Sequence, residues 1–423
     1  MAVLLASMMA LSMNVSVGAE EAAEPIVLTA WTDANCGELL VRAAEKYSEA
    51  TGVAVKVEYD TGIYGSIPDT LTTMAESGDL SEVPDIIMMV DAEFERFVTA
   101  YPELYYDVSE YEGWDQNVEW KIAQTTVDGK HYGFPIDCAS TIMIYRTDLL
   151  AEAGYTIDDV RDVTWDKWLE VAKDVKEKTG KYIGSFRSGV AGSGLFDNMR
   201  RTATDIFDEE GNPTIAGNEV LYELAEIAKE VYDAGVLYEP SSDWSDYATF
   251  PGSANISCAY VDGCWVANEA KANYEDGSVF AIGGIPKYNE ETPMHGFEGG
   301  SSYFVTGVSE HKEVAAEMMA YMFLGEGFEL IHDSFVEFGL LPANIAILES
   351  GYYDTVDDGF FPVGFYGDIA NAVLNTKVAN KSPLASIAAE ELKAAVQDYV
   401  LNGADVKASI DAVQDSIEFQ LSE

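Results

Sequence analysis

Basic side chains are scarce. The chain carries 24 Lys and Arg against 74 Asp and Glu, a formal net charge of -50 over 423 residues. No excess of cations exists to neutralise phosphates, which argues against nucleic acid as a partner. Anionic lipid headgroups are repelled for the same reason. Cysteine is nearly as sparse: Cys36, Cys138, Cys258 and Cys264 are too few and too scattered for a disulfide scaffold. Cys258 and Cys264 are close enough in sequence to form one bridge outside the cell. There is no CxxC, and the four histidines (His131, His295, His311, His332) are dispersed, so no metal site and no cofactor site is expected. GxSxG, HExxH, Walker A and GxGxxG are missing from any fitting context. With 74 acids, chance carboxylate pairs are guaranteed, and a glycosidase dyad cannot be read from them.

What is present is ordinary for a folded protein. Apolar residues make up 48% and charged residues 23%, which excludes disorder. The length suggests two or three domains. The first nineteen residues, MAVLLASMMALSMNVSVGA, carry no charge and end in small residues, with Val17 and Ala19 at the spacing of a cleavage site. Residues 1–23 are therefore expected to be a secretory signal, although no Lys or Arg precedes Arg42. A membrane span and an apolar core helix are the other readings of this run.

From there, strand and helix patterns alternate. Residues 26–31 form an apolar run, 37–51 carry apolar side chains at helical spacing closed by Gly52, and 53–59 alternate with period two. Helical spacing returns at Ile67, Leu71 and Met74, and 85–90 read as a buried strand. This order implies α/β architecture with a parallel sheet under helices. Strand patterns recur at 132–136, 141–145, 182–186, 256–261, 280–285 and 303–305. Beyond about Gly364 only helical patterns remain. No repeat or low-complexity linker appears, so two domains would be joined by several short crossings.

In parallel α/β sheets, ligands bind beyond the carboxyl ends of the strands. Thr32, Asp33 and Asn35 follow the first strand, Tyr64 the second and Asp91 the third. Such residues also cap helices, and each alone fits either role. Arg187 and Trp265 follow later strands, and Gly300 and Ser301 precede the strand at 303–305. Together with Trp244, Tyr247, Phe365 and Tyr366 they form an aromatic-rich set. Rings that stack on C–H faces, beside carboxylates and amides that take hydroxyls, suit a polyhydroxylated ligand.

Seven segments, in order, resemble a known family. They are AAEKYSEATGVAVKVEY (43–59), SGDLSEVPDIIMM (77–89), HYGFPIDCASTIMIYRTDLLAEAGY (131–155), TWDKW (164–168), NISCAYVDGCW (255–265), GGSSYFVTGVSEHKEVAAEMMAYMF (299–323), and GLLPA (339–343) with NGADVKASID (402–411). They are similar to the extracellular solute-binding proteins of ABC importers, in the sugar-binding family that includes maltose-binding protein. The resemblance implies a two-lobed, periplasmic-binding-protein type II-like α/β fold with a hinged cleft. It puts 24–138 and 302–340 in one lobe, 139–301 and 341–423 in the other, with crossings near 137–140, 299–302 and 340–343. Carried over by position, Thr32, Asp33, Asn35, Asp91, Ala139, Ser140, Trp265 and Gly300 fall in the cleft; Arg187, Trp244 and Tyr366 are placed there more loosely. The implied partners are a small ligand, expected to be a carbohydrate, and the membrane permease, with the protein itself a monomer. Departures are Arg146 where the family usually has Asn, Lys167 where it has an acid, and no lipobox for a lipid anchor. Other readings are a secreted carbohydrate-active enzyme, a binder of a polyamine-like or osmolyte solute, and a chemoreceptor's ligand sensor.

Overall fold

The structure is a computed structural model that describes residues 24–186, 189–239 and 254–422. The expected signal segment, Arg187, Trp244 and Tyr247 lie outside the described residues. In chain order the strands are β1 (Ile26–Trp31), β2 (Val55–Asp60), β3 (Ile86–Val90), β4 (Thr126–Val127), β5 (Lys130–His131), β6 (Gly133–Pro135), β7 (Ala139–Ser140), β8 (Ile142–Arg146), β9 (Gly184–Phe186), β10 (Leu237–Tyr238), β11 (Ala259–Asp262), β12 (Phe280–Gly283), β13 (Phe297–Gly299) and β14 (Ser301–Val305).

Two five-stranded sheets result. The first is ordered β2-β1-β3-β14-β6 and the second β10-β9-β11-β8-β12. In the first, β1 runs parallel to β2 and β3, while β14 is antiparallel to β3 and β6. In the second, β9 runs parallel to β10 and β11, while β8 is antiparallel to β11 and β12. Each sheet thus has four strands in one direction and one reversed. Both reversed strands directly follow a passage from the other sheet: β8 comes after β6 and the short β7, and β14 comes after β12 and β13. A strand that enters from the hinge starts at the edge where its neighbours end. The carboxyl ends of the forward strands therefore face the hinge in both lobes.

The hinge is the antiparallel ribbon of β7 and β13. Backbone bonds tie a third segment to it, from Cys138 N to Leu341 O at 2.9 Å, and Ile136 N donates to Ser301 O at 3.0 Å. The chain thus passes between the two sheets through short segments.

Helices cover both sheets. Ala34–Thr51 is capped by Asp33, whose carboxylate accepts from the N–H groups of Asn35 and Cys36, and it ends at Gly52 in the left-handed region (φ 77°). Its apolar face, Leu39, Leu40, Ala43, Ala44 and Tyr47, packs on one face of the first sheet with Lys312–Phe323. The other face of that sheet carries Phe94, Phe97 and Leu71 from the helices Asp91–Ala100 and Ile67–Ser77. The second sheet buries Met143, Tyr145 and Phe186 against Trp165–Thr179, Ser193–Ala203, Glu219–Asp233, Ala385–Asn402 and Val406–Leu421. The first lobe's core continues through Cys138, Ala139 and Leu341 to the inner face of the second sheet, where Phe361, Phe365 and Tyr366 pack.

All four cysteines are free and buried. Cys258 and Cys264 flank β11 and belong to separate cores. The four-residue strand between them spans roughly 13 Å, beyond the ~7 Å Cα reach of a disulfide, so the bridge allowed by the sequence does not form. Among the described residues, no helix is long and apolar enough to cross a membrane.

Candidate functional site

The first-lobe rim is built by the turns after β1 and β2. Thr32, at the end of β1, is fully buried and its hydroxyl points at Met88 Sδ, 3.3 Å away, so its side chain sits within the sheet layer. Asp33 uses Oδ1 for the helix cap, at 2.7 Å from Asn35 N and 3.0 Å from Cys36 N. The Asn35 amide donates to Phe338 O at 3.2 Å. Tyr64 keeps 39% of its surface exposed, yet burial of its hydroxyl and the negative charges of Asp33 and Asp137 push its pKa up to about 12. It stays a neutral hydroxyl at ordinary pH, beside Asp33 and Asp137.

Behind this rim lies a charged knot at the hinge. Asp91 begins the helix Asp91–Ala100 and is 1% exposed; Lys121, on the helix Glu119–Gln124, is fully buried. The Lys121 ammonium pairs with Asp91 Oδ2 and donates to Ser301 O at 2.7 Å. Asp91 Oδ1 accepts from the Ser302 hydroxyl at 2.7 Å, and its backbone N–H donates to Gly300 O at 3.0 Å. Asp137, on the first crossing, accepts from the Ser301 N–H at 2.7 Å. Burial raises the Asp137 pKa to about 6, against the opposing pull of Lys121 and the Ser301 N–H. Burial holds Asp91 above its ordinary range too, despite Lys121.

Gly300 fits here because nothing else does: its φ is +133°, and a Cβ would stand 2.6 Å from Asp137 O. Ala139 and Ser140 form β7, with the Ser140 hydroxyl donating to Gly296 O at 3.3 Å.

The second-lobe wall carries its own buried ion network. Asp197 Oδ1 accepts from Arg200 at 2.6 Å and Asp197 Oδ2 from Arg201 Nε at 3.0 Å. Arg201 reaches on to Phe297 O at 3.1 Å and to Glu298 at 2.7 Å, both on β13. The two guanidinium groups hold Asp197 far below the usual carboxylate range, overriding burial. Trp265 follows β11 and lays its half-buried ring over Gly263, where a Cβ would meet it at 2.4 Å. Tyr366 is 1% exposed; it packs edge-on to Phe335 and Phe361 and donates its hydroxyl to Asp358 at 2.8 Å, inside an aromatic core.

The fold therefore brings Asp33, Tyr64, Asp91, Gly300 and Ser301 to one hinge-facing edge, with Asn35 at its margin. It puts Thr32 and Tyr366 among packed side chains. Lys121, Asp137 and the Asp197–Arg201 network were missed as site residues. Asp137 had one signal, its place in the first crossing; Lys121 had none. Among the described residues, no group of three His, Cys, Asp or Glu is placed to hold a metal ion. Chemically, the edge offers fixed acceptors, a neutral phenol donor and a flexible crossing. It suits binding of hydroxyl groups more than bond cleavage.

Comparisons with known proteins agree with this geometry. The lactose-binding protein of Rhizobium radiobacter is 24% identical over 360 residues, covering 84% of this chain and 83% of that protein. Among solved structures, the GacH receptor of Streptomyces glaucescens GLA.O superposes with a TM-score of 0.76 at 15% identity, covering 94% of this chain and 99% of that one. The ABC transporter associated binding protein from B. animalis subsp. lactis Bl-04, solved with β-1,6-galactobiose, gives 0.71 at 20% identity, covering 93% and 97%. At those identities the likeness shows the two-lobed fold. The family profile described as bacterial extracellular solute-binding protein matches residues 42–354. On that match, spanning about three quarters of its length, the chain belongs to the bacterial extracellular solute-binding proteins.

Proposed function

We propose that this protein is the solute-binding component of an ABC importer, which captures a neutral sugar or oligosaccharide between its lobes and presents it to the permease. The observation that carries the reading is the convergence of both sheets' carboxyl edges on one ribbon hinge, lined by Asp33, Tyr64 and Asp137. Ligand bridging the two edges favours the closed arrangement by its own differential contacts. The lactose-binding relative and the galactobiose bound to the structural neighbour support a carbohydrate.

In this reading the protein acts as an extracellular monomer without catalysis. Asp33 gives its Oδ1 to a helix cap, and Asp91 is buried against Lys121. Isothermal titration with a panel of mono- and oligosaccharides tests the proposal, and saturable binding that changes little between low and high salt is expected. Binding of a polyamine or a zwitterionic osmolyte with no sugar bound would overturn it; turnover of a glycan would favour the enzyme reading instead.

A further inference from the structure

The crossing between β13 and β14 is held by a different lobe on each side. On the second-lobe side, Gly296 lies against the helix Ser193–Ala203, where a Cβ would stand 2.9 Å from Arg201 Cβ. Gly296 O accepts from Thr141 N at 2.8 Å, and Phe297 N donates to Lys377 O at 3.0 Å. On the first-lobe side, Gly300 O accepts from Asp91 N, Ser301 N donates to Asp137 and Ser301 O accepts from Lys121. The passage from one lobe to the other is thus compressed into Glu298, Gly299 and Gly300.

Glu298 is the informative residue. Pairing in the ribbon steps from Phe297 opposite Ser140 to Gly299 opposite Ala139, so Glu298 is the extra residue of a bulge. A bulge opens the ladder locally, and its backbone is fixed only if the side chain is held. Here it is held: Arg201 Nη1 donates to Glu298 Oε2 at 2.7 Å and to Phe297 O at 3.1 Å. The same guanidinium donates from Nε to Asp197 Oδ2 at 3.0 Å, one helical turn back, which ties the bulge to the helix Ser193–Ala203. The Glu298 side chain is 10% exposed, so solvent screens the pair little. Burial works against the Arg201 charge, yet Asp197, Glu298 and Asp262 raise its pKa.

Past this clamp the chain turns permissive. Gly299 and Gly300 take φ +131° and +133°, open to glycine and costly for an L side chain. Nothing stands within 4 Å of the place a Gly299 Cβ would occupy, so backbone freedom and not packing accounts for glycine there.

We propose that Arg201 is a positioning residue for lobe movement: by clamping the Glu298 bulge to the second lobe, it confines the bend of this crossing to Gly299 and Gly300. The lobes then keep one defined path of opening and closing, and a ligand has only to shift the balance along it. The inference rests on hinge bending, the mechanical part of the reading above, and on no particular ligand.

The test measures lobe separation in the ligand-free full chain by double electron–electron resonance. Spin labels go on Glu76→Cys, in the first-lobe helix Ile67–Ser77, and Glu170→Cys, in the second-lobe helix Trp165–Thr179. Both positions are exposed, and the four native thiols are buried. Arg201→Gln and Glu298→Gln should each broaden the distribution of distances. Arg201→Lys, which keeps a charge for Glu298, should fall between them and the wild type, and Gly299→Ala should shift the centre. Arg200→Gln is the control: it takes the other guanidinium from Asp197, has no bond to β13 among the described residues, and should leave the width unchanged. Unchanged widths in both clamp variants, an unmoved centre in Gly299→Ala, or equal broadening in Arg200→Gln each overturn the proposal. Glu298→Gln keeps the Arg201–Asp197 pair, so it decides the matter if Arg201→Gln loses the fold. No sugar enters the measurement: failure here leaves the carbohydrate reading standing, and a sugar panel that binds nothing leaves this test intact.

Discussion

Asp137 offers the sharpest quantitative test. Its carboxyl has an ordinary value of 3.8, which burial at the hinge raises to about 6. The folded protein therefore holds the Asp137 proton more tightly than the unfolded chain does. The associated stabilisation is complete below pH 3.8 and is lost as pH rises through 6. The gap between 3.8 and about 6, at roughly 1.4 kcal/mol per pH unit, makes this contribution about 3 kcal/mol. Asp137→Asn keeps an oxygen to accept from the Ser301 N–H but cannot ionise. Urea denaturation of wild type and variant should be compared at intervals from pH 4 to 7. The variant should gain on the wild type by about 2.4 kcal/mol across that window, with most of the change between pH 4 and 6, where the unfolded carboxyl has given up its proton and the folded one still holds it. Carboxylates held low in the fold, Asp197 above all, impose the opposite slope but act on both proteins and cancel in the difference. A difference independent of pH, or one in which the variant loses ground as pH rises, would refute the argument.

Three further outcomes follow from the same edge. Lys121→Met leaves Asp91 buried without its cation and should lower stability by about 3–5 kcal/mol; adding Asp91→Asn should restore at least half, and no recovery in urea denaturation would show that the pair is not the cause. Gly300→Ala forces an L side chain into φ +133° and against Asp137 O, so the loss should exceed about 1 kcal/mol; an unchanged thermal midpoint would refute that. Tyr64→Phe keeps the ring but removes the neutral hydroxyl at the rim. Sugar affinity by calorimetry should fall about three- to tenfold, with stability within about 0.5 kcal/mol of wild type; unchanged affinity would remove Tyr64 from the site.

The sequence showed strand positions better than strand directions. The strands β8 and β14 are buried at every position, as a near-continuous apolar run marks a strand covered on both faces. That pattern reads the same forwards and backwards, so the reversal of β8 and β14 was invisible. It becomes intelligible once the crossings are known. Helix ends were legible where chemistry marks them: Asp33 and Gly52 bound the first long helix as capping rules require. The start of Lys312–Phe323 is less plainly marked, since Ser309, three residues ahead, accepts from His311 N and not from an N–H within the helix. Tyr366 drew attention as an aromatic beside other aromatics, and that same neighbourhood, with Phe361 and Phe365, is what buries it. Lys121 looks like any lysine on a short helix. Its burial depends on Asp91, thirty positions earlier, and on Ser301, 180 positions later. Local pattern carries no trace of either.

The excess of acid bears on the hinge in a way that composition alone did not reveal. Most of the 74 acids can sit in water, where repulsion is screened and solubility gains. A buried acid cannot; it needs a cation or a proton. Of the 24 basic residues, five are buried among the described residues, against four of the acids. At the second-lobe wall the match is generous, two arginines around Asp197 with Glu298 alongside, and Asp197 stays ionised. At the hinge, one ammonium stands before two carboxylates, Asp91 and Asp137. Lys121 touches Asp91 and reaches Asp137 only through space, and the third acid, Asp33, adds its repulsion. With one cation for two buried acids, Asp137, whose single backbone donor is the weaker partner, keeps its proton up to about pH 6. A second cation placed there should return Asp137 toward its ordinary value. A ligand that brings only neutral hydroxyls would leave it raised, so the pH dependence of ligand binding distinguishes a sugar from a cation at this edge.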